Sequence, residues 1–157
     1  MIDSAVKLME ENNYKEAKEL LLDLIVENSE DYLINFYCAE AHDGLGLERE
    51  AIPFYQKALE NGMEGELKEK AFVQLGSSLR CIGEYDHALV IFKEGLKEFP
   101  NNHALKVFLS MTLYNIGEYK ESVENLLETI IESSSDKWIN TYKRALSFYA
   151  KNIDEKW

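Results

Sequence analysis

The sequence is short of most residues that announce chemistry directly. Its two cysteines, Cys38 and Cys81, lie far apart among helix-forming residues, which fits neither a disulfide framework nor a zinc knuckle. Two reduced structural thiols are expected. Its three histidines form no His-x-x-x-His pair, so no metal site is expected. His42 falls on an inner seam and reads as a packed side chain, whereas His87 and His103 read as solvated. Positive charge is scarce: 17 Lys and Arg stand against 29 Asp and Glu, for a net charge of -12. That balance repels phosphate backbones and anionic lipid heads, so neither nucleic acid nor a membrane surface is the expected partner. Long apolar runs are missing too, since the greasiest stretch, residues 20–26, is broken by Asp23 and is too short to cross a bilayer. The opening Met1-Ile2-Asp3-Ser4-Ala5 lacks the basic and apolar regions of a signal peptide, and a cytoplasmic protein is expected. Glycines fall between helical patterns and not after a strand, which removes a phosphate loop. The many acids are spread along helical faces as solvated charges rather than set up as a catalytic pair. No enzyme activity and no cofactor are expected.

What is present is length, apolar content and repetition. At 157 residues and 46% apolar composition the chain suffices for one domain with a real core. Four stretches align on a small residue followed by a large apolar one: Ala17 with Leu21, Ala51 with Tyr55, Ala88 with Phe92, and Ser122 with Leu126. The first three lie in Tyr14-Lys15-Glu16-Ala17, Arg49-Glu50-Ala51 and Tyr85-Asp86-His87-Ala88, the fourth in Tyr119-Lys120-Glu121-Ser122. Each copy holds two apolar patterns of helical period separated by a break, which describes a helix hairpin. The breaks carry Gly46, Gly83 and Gly117, with Asn12-Asn13 in the first copy, and these residues tolerate the left-handed conformation needed after a helix end. Asn61-Gly62-Met63-Glu64-Gly65 holds the extra residues of the middle junction as a loop. Pro100 closes the third hairpin, and Asn101-Asn102 offers the next helix a cap.

The periodicity predicts an all-α chain with helices at about 2–11, 14–27, 31–44, 48–60, 67–81, 85–98, 103–115, 119–132 and 137–150. Pro53 stands late for a first-turn proline, so the helix beginning near Glu48 is expected to start late or irregularly. The repeats span about 1–29, 31–61, 67–101 and 102–134, with a capping helix over 137–150, all within one domain of residues 1–157.

Phe72-x2-Leu75-Gly76-x2-Leu79, then Ala88-x3-Phe92, then Pro100 resembles the tetratricopeptide repeat signature, with Phe for its Trp and Leu for its first Tyr. Ser110 and Ser122 stand where the fourth copy would carry the signature's Gly and Ala. The run from Gly46 to Tyr119 is similar to the small bacterial family called tetratrico peptide repeat group 5. The resemblance implies a right-handed α-α superhelix of four hairpins plus a C-terminal capping helix, and it also implies a homodimer.

Within the repeat, Gly76 and Ala88 are expected to be small because paired helices cross closest there, and Phe72, Leu75, Leu79, Phe92 and Leu96 to fill the seams. Binding in such stacks is usually written on the inner face of the first helix of each pair. The projected inner face carries Ile2, Val6 and Met9, then Phe36, Tyr37, Glu40 and Asp43, then Val73, Gln74, Ser77 and Arg80, then Val107, Phe108, Met111 and Tyr114, with Thr141, Tyr142 and Ala145 from the last helix. Phe36, Val73, Val107 and Phe108 read equally well as packing. The expected partner-binding residues are therefore Tyr37, Glu40, Asp43, Gln74, Ser77, Arg80, Met111, Tyr114 and Tyr142, an aromatic surface able to seat a peptide or helix of a partner protein. Arg80 is expected to pair with Glu40 and Asp43, or else to receive a partner carboxylate.

Repeat proteins that grip the C-terminal carboxylate of heat-shock chaperones use Lys and Asn at set positions. Here those positions hold Phe36, Glu40, Gln74, Ala104 and Phe108 in one register, and Ile2, Val6, Tyr37, Lys70 and Gln74 in the other. Neither set suits a carboxylate. In the final helix, Trp138, Tyr142 and Tyr149 spread round more than one side, and they form the expected dimer surface, with the first hairpin's Leu8 and Leu24 as the alternative, unless the aromatic side covers the fourth hairpin. The resulting expectation is a cytoplasmic interaction module that binds protein or peptide and dimerises. A self-assembling structural protein without a groove ligand and a signalling-peptide sensor are the alternatives.

Overall fold

The computed structural model describes all residues, 1–157, as ten helices without a strand. Its contacts gather into two units, Met1–Glu84 and Tyr85–Trp157. The first holds α1 (Ile2–Glu10), α2 (Tyr14–Glu27), α3 (Tyr32–Asp43), α4 (Glu48–Glu60) and α5 (Gly65–Cys81). The second holds α6 (Tyr85–Glu98), α7 (His103–Asn115), α8 (Tyr119–Ser133), α9 (Lys137–Thr141) and α10 (Lys143–Lys151).

In the first unit each helix packs on the next, and α1 also meets α3. The small residues of the aligned copies do what their size allows. Ala17 and Ala51 are fully buried, and Ala17 joins Ala5, Met9, Leu21, Leu24, Ile34, Cys38 and Ala41 in the cluster around the first three helices. Each large apolar side chain buried in this way contributes about 1.5–3 kcal/mol. Asp31 caps α3 by accepting from the backbone N–H groups of Leu33 and Ile34 at 2.8 and 3.1 Å, which satisfies two donors the helix itself leaves open.

The predicted breaks share one geometry. Asn12 has φ 62°, and Gly46, Gly83 and Gly117 have φ 71°, 82° and 88°. After each, a backbone N–H reaches the carbonyl five residues back: Asn13 to Leu8 at 2.7 Å, Leu47 to His42 at 3.0 Å, Glu84 to Leu79 and Glu118 to Leu113 at 2.9 Å. This is the Schellman closure, which needs a residue that tolerates positive φ. The asparagine in the first copy therefore performs the glycine's task.

Three details differ from the sequence reading. Pro53 lies inside an unbroken α4 that begins at Glu48, so the helix starts neither late nor irregularly. Pro53 and Arg49 are both exposed, so water can satisfy the Arg49 carbonyl that lacks a proline N–H. Helix α5 starts at Gly65, two residues before the predicted position, after a loop whose Met63 is only 1% exposed and anchors it inward. The predicted capping helix is divided at Tyr142 (φ -98°, ψ 11°) into α9 and α10. No single apolar stripe runs through its whole length: α9 buries nothing, whereas α10 packs on α8 and buries Ala150.

In the second unit α6 packs on α7, α7 on α8, and α8 on α10. Phe108 stacks on Phe92 with centroids 6.0 Å apart, so it serves packing. Ser110 and Ser122 are buried, and the Ser122 hydroxyl donates to the Ser110 carbonyl at 2.6 Å. The two serines thus keep the close approach that Gly and Ala give elsewhere and add a hydrogen bond across it.

Candidate functional site

The first unit contains a hollow of about 600 Å3 whose walls come from α1, α2, α3 and α5. Helical spacing sets its composition. On α3, Tyr37, Glu40 and Asp43 follow at three-residue intervals and so share one face, with Gly44 at its end. On α5, Lys70 and Gln74 are four apart and stack one turn above the other. Val6, Met9 and Glu10 line it from α1, and Tyr14 from the start of α2.

Tyr37 is half-buried, with its ring edge-on to the buried Phe36 at 5.3 Å. That contact holds the phenol at the wall while leaving part of it reachable. Glu40 forms an ion pair with Lys70, whose amino group also stands 5.6 Å from the centre of the Phe36 ring. Phe36 itself is fully buried and belongs to the core, one of the two readings open to it from sequence. Gly44 must lack a side chain, because a Cβ there would overlap the Tyr14 ring.

Asp43 has a second task. Its carboxylate accepts from the Tyr55 hydroxyl at 2.8 Å and from the Ser78 hydroxyl at 3.0 and 3.2 Å, which ties α3 to α4 and α5. Burial pushes its carboxyl above the usual carboxylate value, the two hydroxyl donors oppose that rise, and the nearby charges of Glu48 and Glu40 add to it. Tyr55 is fully buried, and burial together with the Asp43 charge drives its phenol far above an ordinary tyrosine. Glu10, Glu40 and Asp43 give the hollow three acids against the single cation Lys70.

Of the residues singled out in the sequence, Tyr37, Glu40, Asp43 and Gln74 come together here. Ser77 and Arg80 are half-buried on α5 and do not line this hollow. Glu40 is paired with Lys70, and Asp43 is held by Tyr55 and Ser78. Met111 and Tyr114 lie exposed on α7, Tyr114 beside Tyr119 at 5.1 Å. Lys70, Tyr55, Ser78 and Tyr14 were not among the expected site residues. Lys70 figured in the sequence only among positions that do not suit a carboxylate, and its place in the hollow follows from the fold. For Tyr55 and Ser78 no sequence signal existed, because each meets Asp43 only across a helix interface.

His42 is buried, with its ring 5.2 Å from Phe54, and its Nδ1–H donates to the Cys38 carbonyl at 2.6 Å, since a carbonyl can only accept. Both cysteines are free; Cys38 is buried with its thiol pushed up to about 12 by desolvation, and Cys81 is exposed. His87 is exposed, whereas His103 sits 3.4 Å from Glu132, which also binds Lys106 at 2.7 Å. No helix is long and apolar enough to cross a membrane.

On the second unit the expected dimer residues remain accessible. Trp138 is 62%, Tyr142 57% and Tyr149 49% exposed, with Trp138 stacked on Tyr142 at 6.4 Å. Tyr149 meets Trp157 at 5.8 Å, and Phe148 meets the same indole at 5.8 Å.

Comparison with known proteins places the chain in a class of helical repeat proteins. The family model described as tetratrico peptide repeat, group 5, matches residues 32–153, most of the chain, and the chain belongs to that family. Its fold is the α-α superhelix of that class. YrrB, a TPR protein described as having an unusual peptide-binding site, superposes with a TM-score of 0.74 at 19% identity, covering 98% of this chain and 77% of its own. The APC/C hetero-tetramer Cut9–Hcn1 gives 0.74 at 17% identity over 95% of this chain and 29% of that one. The C-terminal part of a TPR repeat-containing protein from Cytophaga hutchinsonii gives 0.74 at 17% over 97% and 58%. This chain thus spans less than two thirds of the latter two, and at these identities the likeness concerns the fold. No curated protein matches the sequence. TPR proteins are in general protein–protein interaction modules.

Proposed function

We propose that the chain is a non-catalytic, cytoplasmic interaction module of one TPR domain, and that the hollow formed by α1, α3 and α5 seats a peptide or helical segment of a partner protein. The observation that carries this reading is the hollow itself: a half-exposed Tyr37 beside Val6 and Met9, with Glu40 and Gln74 as polar contacts and no packing role that fills the space. A peptide side chain gains apolar area on Tyr37, and the excess of acid selects a segment that brings a basic residue. The peptide-binding site named for YrrB, whose fold this chain shares, supports the same direction. An array of immobilised peptides of basic, neutral and acidic composition tests it. Basic peptides with an aromatic or aliphatic neighbour should be retained by the wild type and released by Tyr37→Ala, with helicity unchanged. Equal retention by both proteins would remove the hollow as the binding site.

A second reading is favoured by the accessible aromatic rings of the C-terminal helices. We infer a homodimer formed through Trp138, Tyr142 and Tyr149, because a stacked indole and phenol exposed to water lose apolar surface only in an intermolecular contact. Sedimentation of Trp138→Ser and Tyr142→Ser should give the monomer mass at concentrations where the wild type sediments as a dimer. A dimer that persists in both variants would place the contact elsewhere.

A further inference from the structure

The second unit holds another hollow, of about 650 Å3, between α8 and the α9–α10 segment. Its chemistry is the reverse of the chain's. From Lys137 to Lys151 the sequence carries Lys137, Lys143, Arg144 and Lys151 and no acidic residue, in a protein of net charge -12. Lys143, Arg144 and Lys151 line the hollow together with Ile131, Ser147 and Phe148, and no acid lines it. These three cations take part in none of the chain's ion pairs, which in this unit involve His103, Lys106 and Lys120. Residues 143, 144, 147, 148 and 151 fall on one side of α10 and Tyr142 and Tyr149 on another, so this surface adjoins the aromatic one described above only at Phe148, whose ring meets Tyr149 at 5.7 Å.

We propose that this hollow is a docking site for a short acidic segment of a partner protein. Three unpaired cations on one helical face repel one another, and carboxylates brought by a ligand relieve that repulsion. Arg144 offers a planar fork that matches a carboxylate bidentately, and Lys143 and Lys151 flank it as point charges. Phe148, 54% exposed, and Ile131 beneath it supply the apolar footing for an aliphatic or aromatic neighbour of those carboxylates. A long nucleic acid is a poorer occupant. It carries its charge beyond the hollow, where it meets the acidic remainder of the chain, while a short acidic segment stays within one screening length of about 10 Å. A second copy meeting this face by two-fold symmetry is poorer still, since it would bring the same cations together.

The test uses the full chain and a fluorescein-labelled synthetic amphipathic peptide of Glu, Leu and Phe, read by fluorescence polarisation. A peptide with Lys in place of Glu and an oligothymidylate of equal length serve as competitors. Saturable binding that weakens roughly tenfold or more in Lys143→Glu/Arg144→Glu/Lys151→Glu is the expected result, as three favourable contacts become repulsive. The milder Lys143→Gln/Arg144→Gln/Lys151→Gln set should reduce affinity less and guards against a folding defect, which circular dichroism checks directly. Phe148→Ala should weaken binding while leaving its salt dependence unchanged. The proposal is overturned if the charge-reversed protein binds the acidic peptide as well as the wild type does, or if the wild type shows no saturable binding. Competition by oligothymidylate as strong as that by the unlabelled peptide would instead make the hollow a polyphosphate site. A fall from dimer to monomer in the charge-reversed protein would assign it to a second copy. None of these outcomes depends on Tyr37, so the reading of the first hollow stands or falls separately.

Discussion

Tyr55→Phe removes a single oxygen from the centre of the first unit, and the structure fixes what that oxygen does. Tyr55 is fully buried and its hydroxyl donates to Asp43 at 2.8 Å. The acceptor is a half-buried carboxylate, and hydrogen bonds to charged groups contribute about 1.5–3 kcal/mol, against about 1 kcal/mol between neutral groups. The ring stays in place against Phe36 at 5.9 Å, so no cavity of consequence opens. Asp43 keeps its Ser78 donor, which limits the damage. At neutral pH we expect a loss of about 2 kcal/mol, a urea midpoint lower by roughly 1 M for an m-value of about 2 kcal/mol/M.

The pH dependence supplies the sharper check. Burial raises the folded-state value of Asp43 above its unfolded one. A raised acid contributes stability that is fully present below the unfolded pKa and is lost as pH rises through the folded one. Removing the Tyr55 donor takes away an influence that lowers this value, so the window of loss extends upward in the variant. The difference between Tyr55→Phe and wild type should therefore be near 1 kcal/mol where Asp43 is protonated and should grow as it ionises. Urea unfolding of both proteins followed by circular dichroism from pH 4 to pH 8 measures it. A difference below about 0.5 kcal/mol, or one that does not change with pH, would refute the assignment of Asp43 as a charged acceptor joining three helices.

Three other outcomes follow from the same geometry. Of the two thiols, Cys81 should react with a disulfide reagent within the mixing time at pH 8, while Cys38, buried and pushed up to about 12, should react only as the unit opens; Cys81→Ser should abolish the fast phase alone. Gly117→Ala should cost about 1 kcal/mol although nothing lies near the added methyl, because φ is 88° and the penalty is one of backbone conformation; Gly117→Asn should cost less, as Asn12 already holds a comparable conformation. Ser122→Ala should lose about 1 kcal/mol with the bond to the Ser110 carbonyl, measured by urea unfolding, and an unchanged midpoint would mean that the serine is there for its size alone.

The helices and their turns were legible because they depend on local rules. Apolar residues at helical period and a left-handed residue after each helix describe hairpins in any context, and the four Schellman closures fell at Asn12, Gly46, Gly83 and Gly117 as the pattern required. The repeat register also put Val6, Met9, Tyr37, Glu40, Asp43 and Gln74 on one projected inner face, and these residues share one hollow. The division of the last helix at Tyr142 was only half legible, because the spread of its aromatic residues denied it a single apolar stripe but did not say where the chain turns.

By itself, then, the sequence determined the class of fold, the position of each hairpin turn, the acidic character of the chain and the basic character of its final helices, all of which are written in neighbouring residues or in simple counts. Tertiary structure alone decided which polar groups meet. Asp43 belongs with Tyr55 and Ser78, 12 and 35 residues away, and Lys70 with Glu40, because three helices carry them there. It also decided that Lys143, Arg144 and Lys151 have no partner within the chain, since whether a surface charge finds its opposite depends on how far the folded backbone brings the two together.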